Sequence, residues 1–275
     1  MMSLVPSLEV GLVILYEPVV RVRLLAYKVM MTRSLPRLSV GLLLIGAVLG
    51  YVGGQIVASL LIVAIAALQH QSHLATILSA SKAPWWVTIG GFVGLWAGML
   101  VTVRWGKRFD ALRWPTGTWR PRGLTDLLYV AGGIALQLVV DAGYAPFHLR
   151  GLNHPITHLF GAAHGVAFVL IAVLTVVGAP IVEECFFRGF LYRGVATLWR
   201  ESWRGRGLWM AAVASGLLFG LAHGELLQLP GLSLVGIVLA RVYERTQRLL
   251  PSVLVHVGFN SLTVVALLMQ RSGHA

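Results

Sequence analysis

Long apolar runs separated by short polar stretches dominate this chain. Leu38 to Leu68, Trp85 to Val103, Asp126 to Tyr144, Ala162 to Val182, Leu208 to about Leu229 and Leu249 to Met269 are each nearly free of charge. Runs of about 20 residues match a hydrocarbon layer of about 30 Å at a helical rise of about 1.5 Å per residue. Each run is therefore predicted to be a membrane-spanning helix. Pro84-Trp85-Trp86 opens the second with aromatics suited to a headgroup boundary. Gly53-Gly54 would allow the first to tilt or kink, and Pro230-Gly231 would close the fifth. Leu232 to Val242 is shorter and predicted to be a half-buried helix. No internal repeat or low-complexity tract is visible. The pattern predicts an all-α, polytopic transmembrane bundle of about seven to eight helices.

Composition sharpens this picture. Of the 275 residues, 57% are hydrophobic and only 12% charged, against about 25% charged in a soluble domain. The net charge of +12 would suit a nucleic-acid partner, but the basic residues sit in short loops between apolar runs. Arg104, Lys107, Arg108, Arg113, Arg120 and Arg122 crowd one loop, and the 188–206 and 241–248 stretches are also rich. The alternating loops hold only Lys82 and Arg150. This is the positive-inside pattern, and it predicts a multi-pass cell-membrane protein with a cytoplasmic N-terminus. Membrane lipids, not nucleic acid, are the expected partners. Residues 1–37 are predicted to form a cytoplasmic or interfacial segment; Arg21, Arg23 and Lys28 would suit an amphipathic helix, or the natural start lies near Met31. Cys185 is the single cysteine, which rules out an internal disulfide.

Three polar clusters interrupt the apolar C-terminal half: Glu183-Glu184 with Arg188, Phe219 with His223, and His256 with Asn260. Charges inside a bilayer are costly, so such groups either pair with each other or do chemistry. Glu184 and Arg188 are spaced i,i+4 and can form an ion pair on one helix face. Glu183 points about 100° away, which leaves its carboxylate for other partners. For these groups to meet His223, the fourth helix must run on past Val182 through Pro180 and the Cys185–Tyr192 run, so the hydropathy edge at Val182 is expected to be wrong. A lone histidine in an apolar helix ordinarily packs with one hydrogen bond. Glu, His, His and Asn from three helices together offer a base, a second proton carrier and oxyanion donors. Glu183, His223 and His256 would equally satisfy a catalytic zinc site; the spacing leaves both mechanisms open.

Glu-Glu-x-x-x-Arg, then Phe-x-x-x-His about 30 residues on, then His-x-x-x-Asn about 30 further, resembles the CPBP family of intramembrane proteases, which includes type II CAAX prenyl endopeptidases and bacteriocin-processing or immunity proteins. The resemblance covers roughly Ile156 to Met269, about two fifths of the chain. It implies Glu183 as general base, His223 as the residue orienting the water, and His256 with Asn260 as the oxyanion site. Glu184, Arg188 and Phe219 would support them. It also implies glutamate chemistry without a cofactor, with zinc as the alternative, acting on a peptide or lipidated protein.

The expected organisation is thus an N-terminal segment (1–37), scaffold and lipid-contacting helices (38–155) and a catalytic region (156–275) whose cavity opens to the cytoplasm. Phe186, Phe187 and Phe190 are candidates to touch a lipid tail or apolar substrate. Cys185 is expected to be inert. His154 and His158 are read as surface residues, His164 and Asp141 as packing residues with the outer end of the cavity as their alternative place, and Gly90-Gly91 and Gly132-Gly133 as sites of close helix contact. Two rivals share the motifs: a proton- or cation-coupled transporter, and a non-catalytic immunity or peptide-binding protein. Oligomeric state is not readable from the pattern.

Overall fold

A computed structural model of the chain describes residues 37–70, 84–109, 112–152, 154–161, 163–200 and 206–273. The N-terminal segment through residue 36, with its amphipathic and start-site expectations, and Lys82 lie outside the described residues. What is described is helical: α1 (Arg37–Leu68), α2 (Trp85–Gly106), α3 (Leu127–Tyr144), α4 (His154–Phe160), α5 (Gly165–Trp199), α6 (Gly207–Ala222), α7 (Leu229–Thr246) and α8 (Leu249–Ser272). Five of them, α1, α2, α3, α5 and α8, are long and apolar enough to cross a membrane. This is the predicted all-α polytopic bundle, and the chain is a multi-pass membrane protein.

Three helix pairs, α1 with α2, α3 with α8 and α6 with α7, surround the central α5. Small residues set how closely each pair approaches, since helices in lipid gain little from the hydrophobic effect and associate by tight packing. A Cβ on Gly94 would lie 2.2 Å from the Ala58 nitrogen, and one on Gly98 would lie 2.1 Å from the Gly50 carbonyl oxygen. Between α3 and α8 the same holds for Gly133, 1.9 Å from the Val255 oxygen, and Gly258, 2.1 Å from the Val130 oxygen. Gly90 also packs, its Cβ position 3.1 Å from Ile62, whereas Gly91 and Gly132 face open space. Only one member of each glycine pair therefore does what the pattern suggested. Helix α1 runs unbroken through Gly53-Gly54, and Gly54 meets the backbone of Leu95. Exposed Val48, Leu49 and Leu60 form the outer face that lipid would cover.

Helix boundaries depart from the hydropathy edges in α5, α6 and α7. As expected, α5 does not end at Val182; it continues to Trp199. The fifth span, by contrast, stops at Ala222 rather than near Leu229, because Gly224 adopts a left-handed φ of 71° and turns the chain. Pro230 does not close that span. It sits in the first turn of α7, where its missing N–H is no loss, and α7 extends over Leu229–Thr246 instead of Leu232–Val242. His154 and His158 lie on the short α4.

Gly133→Ala should force α3 and α8 apart and lower stability by about 1–3 kcal/mol, whereas Gly132→Ala should be close to neutral. Thermal unfolding of the two purified variants in one detergent checks the contrast.

Candidate functional site

The site is built around an irregularity in α5. Residues Leu174–Gly178 form a π turn, in which the Ala179 N–H reaches back to the Leu174 carbonyl. The Thr175 carbonyl would next look to residue 180, but Pro180 has no N–H to give. Asn260 on α8 fills the gap: its Nδ2 donates to the Thr175 oxygen at 2.9 Å. The helix resumes over Ala179–Phe186 and carries both glutamates within the candidate span Gly165–Trp199.

Glu184 and Arg188 are each wholly buried and joined at 2.9 Å from Nη1 to Oε1. The other guanidinium nitrogen donates to the Gly236 carbonyl of α7 at 2.9 Å. The ring of Phe219 lies 4.7 Å from the Arg188 guanidinium carbon, a cation–π contact. His256 Nδ1 lies 3.0 Å from the same Glu184 Oε1. Arg188 also presents its charge there, and a carboxylate accepts while the ring donates, so Nδ1 carries the proton. The opposite nitrogen, Nε2, faces Glu183 Oε2 at 3.9 Å. That spacing is too long for a hydrogen bond and suits an intervening atom. Glu183 Oε2 is itself buried without a hydrogen-bond partner.

His223 stands at the C-cap of α6, with Nδ1 2.8 Å from the Phe219 carbonyl. A carbonyl only accepts, so Nδ1–H is again the protonated nitrogen and Nε2 keeps its lone pair. Phe219 packs edge-on against His256, ring centroids 5.6 Å apart, and so stands between the two histidines.

Glu183, His223, His256, Asn260 and Phe219 line one cavity of about 680 Å³. Glu184 and Arg188 stand behind it. The N-terminal helices are not scaffold alone: Tyr51 and Gln55 of α1, Met99 of α2 and Gln137 and Asp141 of α3 also form its wall. Nothing in the residue types of α1–α3 marks this contribution; only the single polar residues Gln55, Gln137 and Asp141 in otherwise apolar helices offered a signal. Of the three phenylalanines, Phe187 reaches the cavity, while Phe186 and Phe190 are buried in the core. His158 lies on the cavity rim, whereas His164 is exposed at the start of α5 and outside it. Cys185 is buried among core residues.

Asp141, Tyr144, Leu152, His158, Glu225 and Gln228 of the cavity wall lie at the end of the helices joined by the loops poor in lysine and arginine. The basic loops cluster at the opposite end, where Arg248 meets the Arg120 carbonyl and Asp126. A cytoplasmic cavity mouth and cytoplasmic basic loops therefore cannot both hold.

Among the described residues no three His, Cys, Asp or Glu side chains are placed together to hold a metal ion. Each histidine turns Nδ1 to an acceptor, Glu184 Oε1 for His256 and the Phe219 carbonyl for His223, which leaves Nε2 as the nitrogen available to a further partner.

A polytopic helical bundle with a carboxylate, two imidazoles and an amide around one cavity is an arrangement suited to an intramembrane site. Residues 157–262, about two fifths of the chain, match the family model described as type II CAAX prenyl endopeptidase, Rce1-like, which is consistent with the resemblance to the CPBP and CAAX protease family. The match encloses all three motifs. No curated protein and no solved structure matches the chain.

Arg188→Ala would leave the Glu184 carboxylate buried beside His256 alone and should cost about 3–5 kcal/mol, with Arg188→Lys recovering only part because it cannot span both Glu184 and the Gly236 carbonyl. Melting temperatures of the detergent-purified proteins test this.

Proposed function

We propose that this chain is an intramembrane endopeptidase that hydrolyses a peptide bond in a membrane-presented substrate, with Glu183 as general base. The observation that carries the proposal is the Glu183 carboxylate: it lines the cavity, its Oε2 is buried without a hydrogen-bond partner, and its own helix's arginine is occupied by Glu184. It is the carboxylate left over for an external proton.

In this mechanism Glu183 takes a proton from water as the oxygen attacks the peptide carbonyl carbon. The Nε2 lone pair of His223 accepts the water's second hydrogen and orients the attack. The carbonyl oxygen, now an oxyanion, is met by the Asn260 amide, which keeps a second N–H beyond the one given to Thr175. His256 would add a donor from Nε2 when that nitrogen carries a proton, its Nδ1–H already resting on Glu184. The C–N bond then breaks and Glu183 returns its proton to the departing amine. Glu184, Arg188 and Phe219 hold the His256 ring in place. The substrate is a lipidated CAAX-type protein or a leader-type peptide, whose apolar part would lie along Phe92, Leu95 and Phe187 of the cavity wall.

Glu183→Gln should lower cleavage of a peptide library by about a thousandfold or more, in the range seen when a catalytic base is lost, while leaving the melting temperature within a few degrees. Equal cleavage by the variant would remove Glu183 as the base and favour a carrier or a binding protein. A chelator added in parallel decides the metal question: activity lost with chelator and restored by zinc would move the mechanism to a metal ion.

The reading places the N-terminus in the cytoplasm, on the strength of the basic loops, and so turns the cavity mouth to the opposite side of the cell membrane. In a Cys185→Ala background, an impermeant maleimide should label Glu225→Cys in intact cells and Arg120→Cys only after lysis. The reverse pattern would put the mouth in the cytoplasm.

A further inference from the structure

We propose that Tyr51, on α1 and outside the stretch that matches the family, is the positioning residue for His223; the inference rests on the endopeptidase reading. A helix ends with four carbonyls that lack intrahelical donors, and in α6 each of the four is met. The Phe219 oxygen takes the His223 Nδ1–H at 2.8 Å. The Gly220 oxygen takes the His223 backbone N–H at 3.2 Å, and the Leu221 oxygen takes the Gly224 N–H at 3.1 Å. The last, Ala222, takes the Tyr51 hydroxyl. Three of these bonds are local to the turn; Tyr51 alone ties it to another part of the bundle.

This tie matters because of where α6 stops. Its 16 residues rise about 24 Å at 1.5 Å each, short of a hydrocarbon layer of about 30 Å. His223 is therefore carried on a helix end inside the membrane's depth, exposed to the cavity and followed by the left-handed Gly224. Unwinding by one residue would take His223 Nδ1 off the Phe219 carbonyl and release the ring, and the Tyr51 bond opposes it from α1. Once released, the ring could protonate on either nitrogen. The Nε2 lone pair that faces the cavity would then be lost part of the time. The Tyr51 hydroxyl acts on catalysis only through that ring.

Tyr51→Phe removes the hydroxyl and nothing else. The expected result is a kcat lowered about tenfold, the scale of one buried hydrogen bond, with KM changed less than about twofold. In protein labelled with ¹⁵N-histidine, the His223 ring, assigned by its absence in His223→Ala, should pass from the single Nδ1–H tautomer to a mixture. An unchanged kcat overturns the proposal. So does a lowered kcat with the His223 tautomer intact, which would make Tyr51 a structural residue only. Should Tyr51→Phe not fold, Gly224→Ala strains the same turn without touching Tyr51 and is expected to move both readouts; if it moves neither, the turn does not position His223. Glu183→Gln in the same assay separates the two readings, because its continued cleavage would sink the endopeptidase mechanism while the tautomer measurement still reports on Tyr51.

Discussion

A buried carboxylate in hydrocarbon has no water to solvate it, and Glu184 meets that constraint by accepting from Arg188 and His256 on the same oxygen. Arg188 in turn reaches the Gly236 carbonyl, so one network joins α5, α7 and α8. Such a network is not justified by stability alone, since buried ion pairs often break even with apolar packing. Its effect is geometric. It fixes one nitrogen of His256 as a donor and leaves the other aimed at Glu183. The separation of tasks between adjacent glutamates follows directly: their side chains diverge by about 100° on the helix, one into the network and one into the cavity.

That division was legible in the sequence, because i,i+4 spacing on a helix is geometry and needs no tertiary information. Continuity of α5 past Val182 was legible for a related reason: Glu183 could not otherwise meet residues on other helices. The boundary between α6 and α7 was not. Apolar content runs through Leu226 and Leu227, and hydropathy cannot see that Gly224 takes a left-handed φ. Pro230 is equally ambiguous in a sequence, since a proline ends one helix or begins the next according to which residues hydrogen-bond around it. The three phenylalanines near Arg188 differ only in where they point on a partly π-helical segment, and a fixed 3.6-residue period does not hold there.

The share of the N-terminal helices in the cavity was hidden for another reason. Tyr51, Gln55 and Met99 form the wall because Gly50, Gly54, Gly94 and Gly98 let α1 and α2 lie against one another, while Gly178 of α5 leaves room for Trp96 of α2. A pattern of small residues announces close approach but not what the neighbouring side chains will face. Loop charge has the complementary limit. It tells which ends of the helices share a side, yet it cannot tell towards which side a cavity deepens. The short α6 decides that, by ending before the bundle does and leaving room beyond His223.

The placement of Asn260 shows how a defect in one helix becomes a fixture of the site. Pro180 removes a donor from α5, and a proline at this depth is tolerated only where a neighbouring helix satisfies the carbonyl left behind. The π turn moves the Ala179 N–H to Leu174, and the Thr175 carbonyl becomes the group in need. An amide can answer it and still hold a second N–H, which an alcohol or a single ring N–H cannot do. Asparagine thus serves the helix with one hydrogen and the cavity with the other. One turn earlier on α8, His256 divides its two nitrogens in the same way, between Glu184 behind and Glu183 in front. Each of these polar groups holds the bundle together with one atom and presents the other to the cavity, so the chemistry of the site and the repair of the fold draw on the same residues.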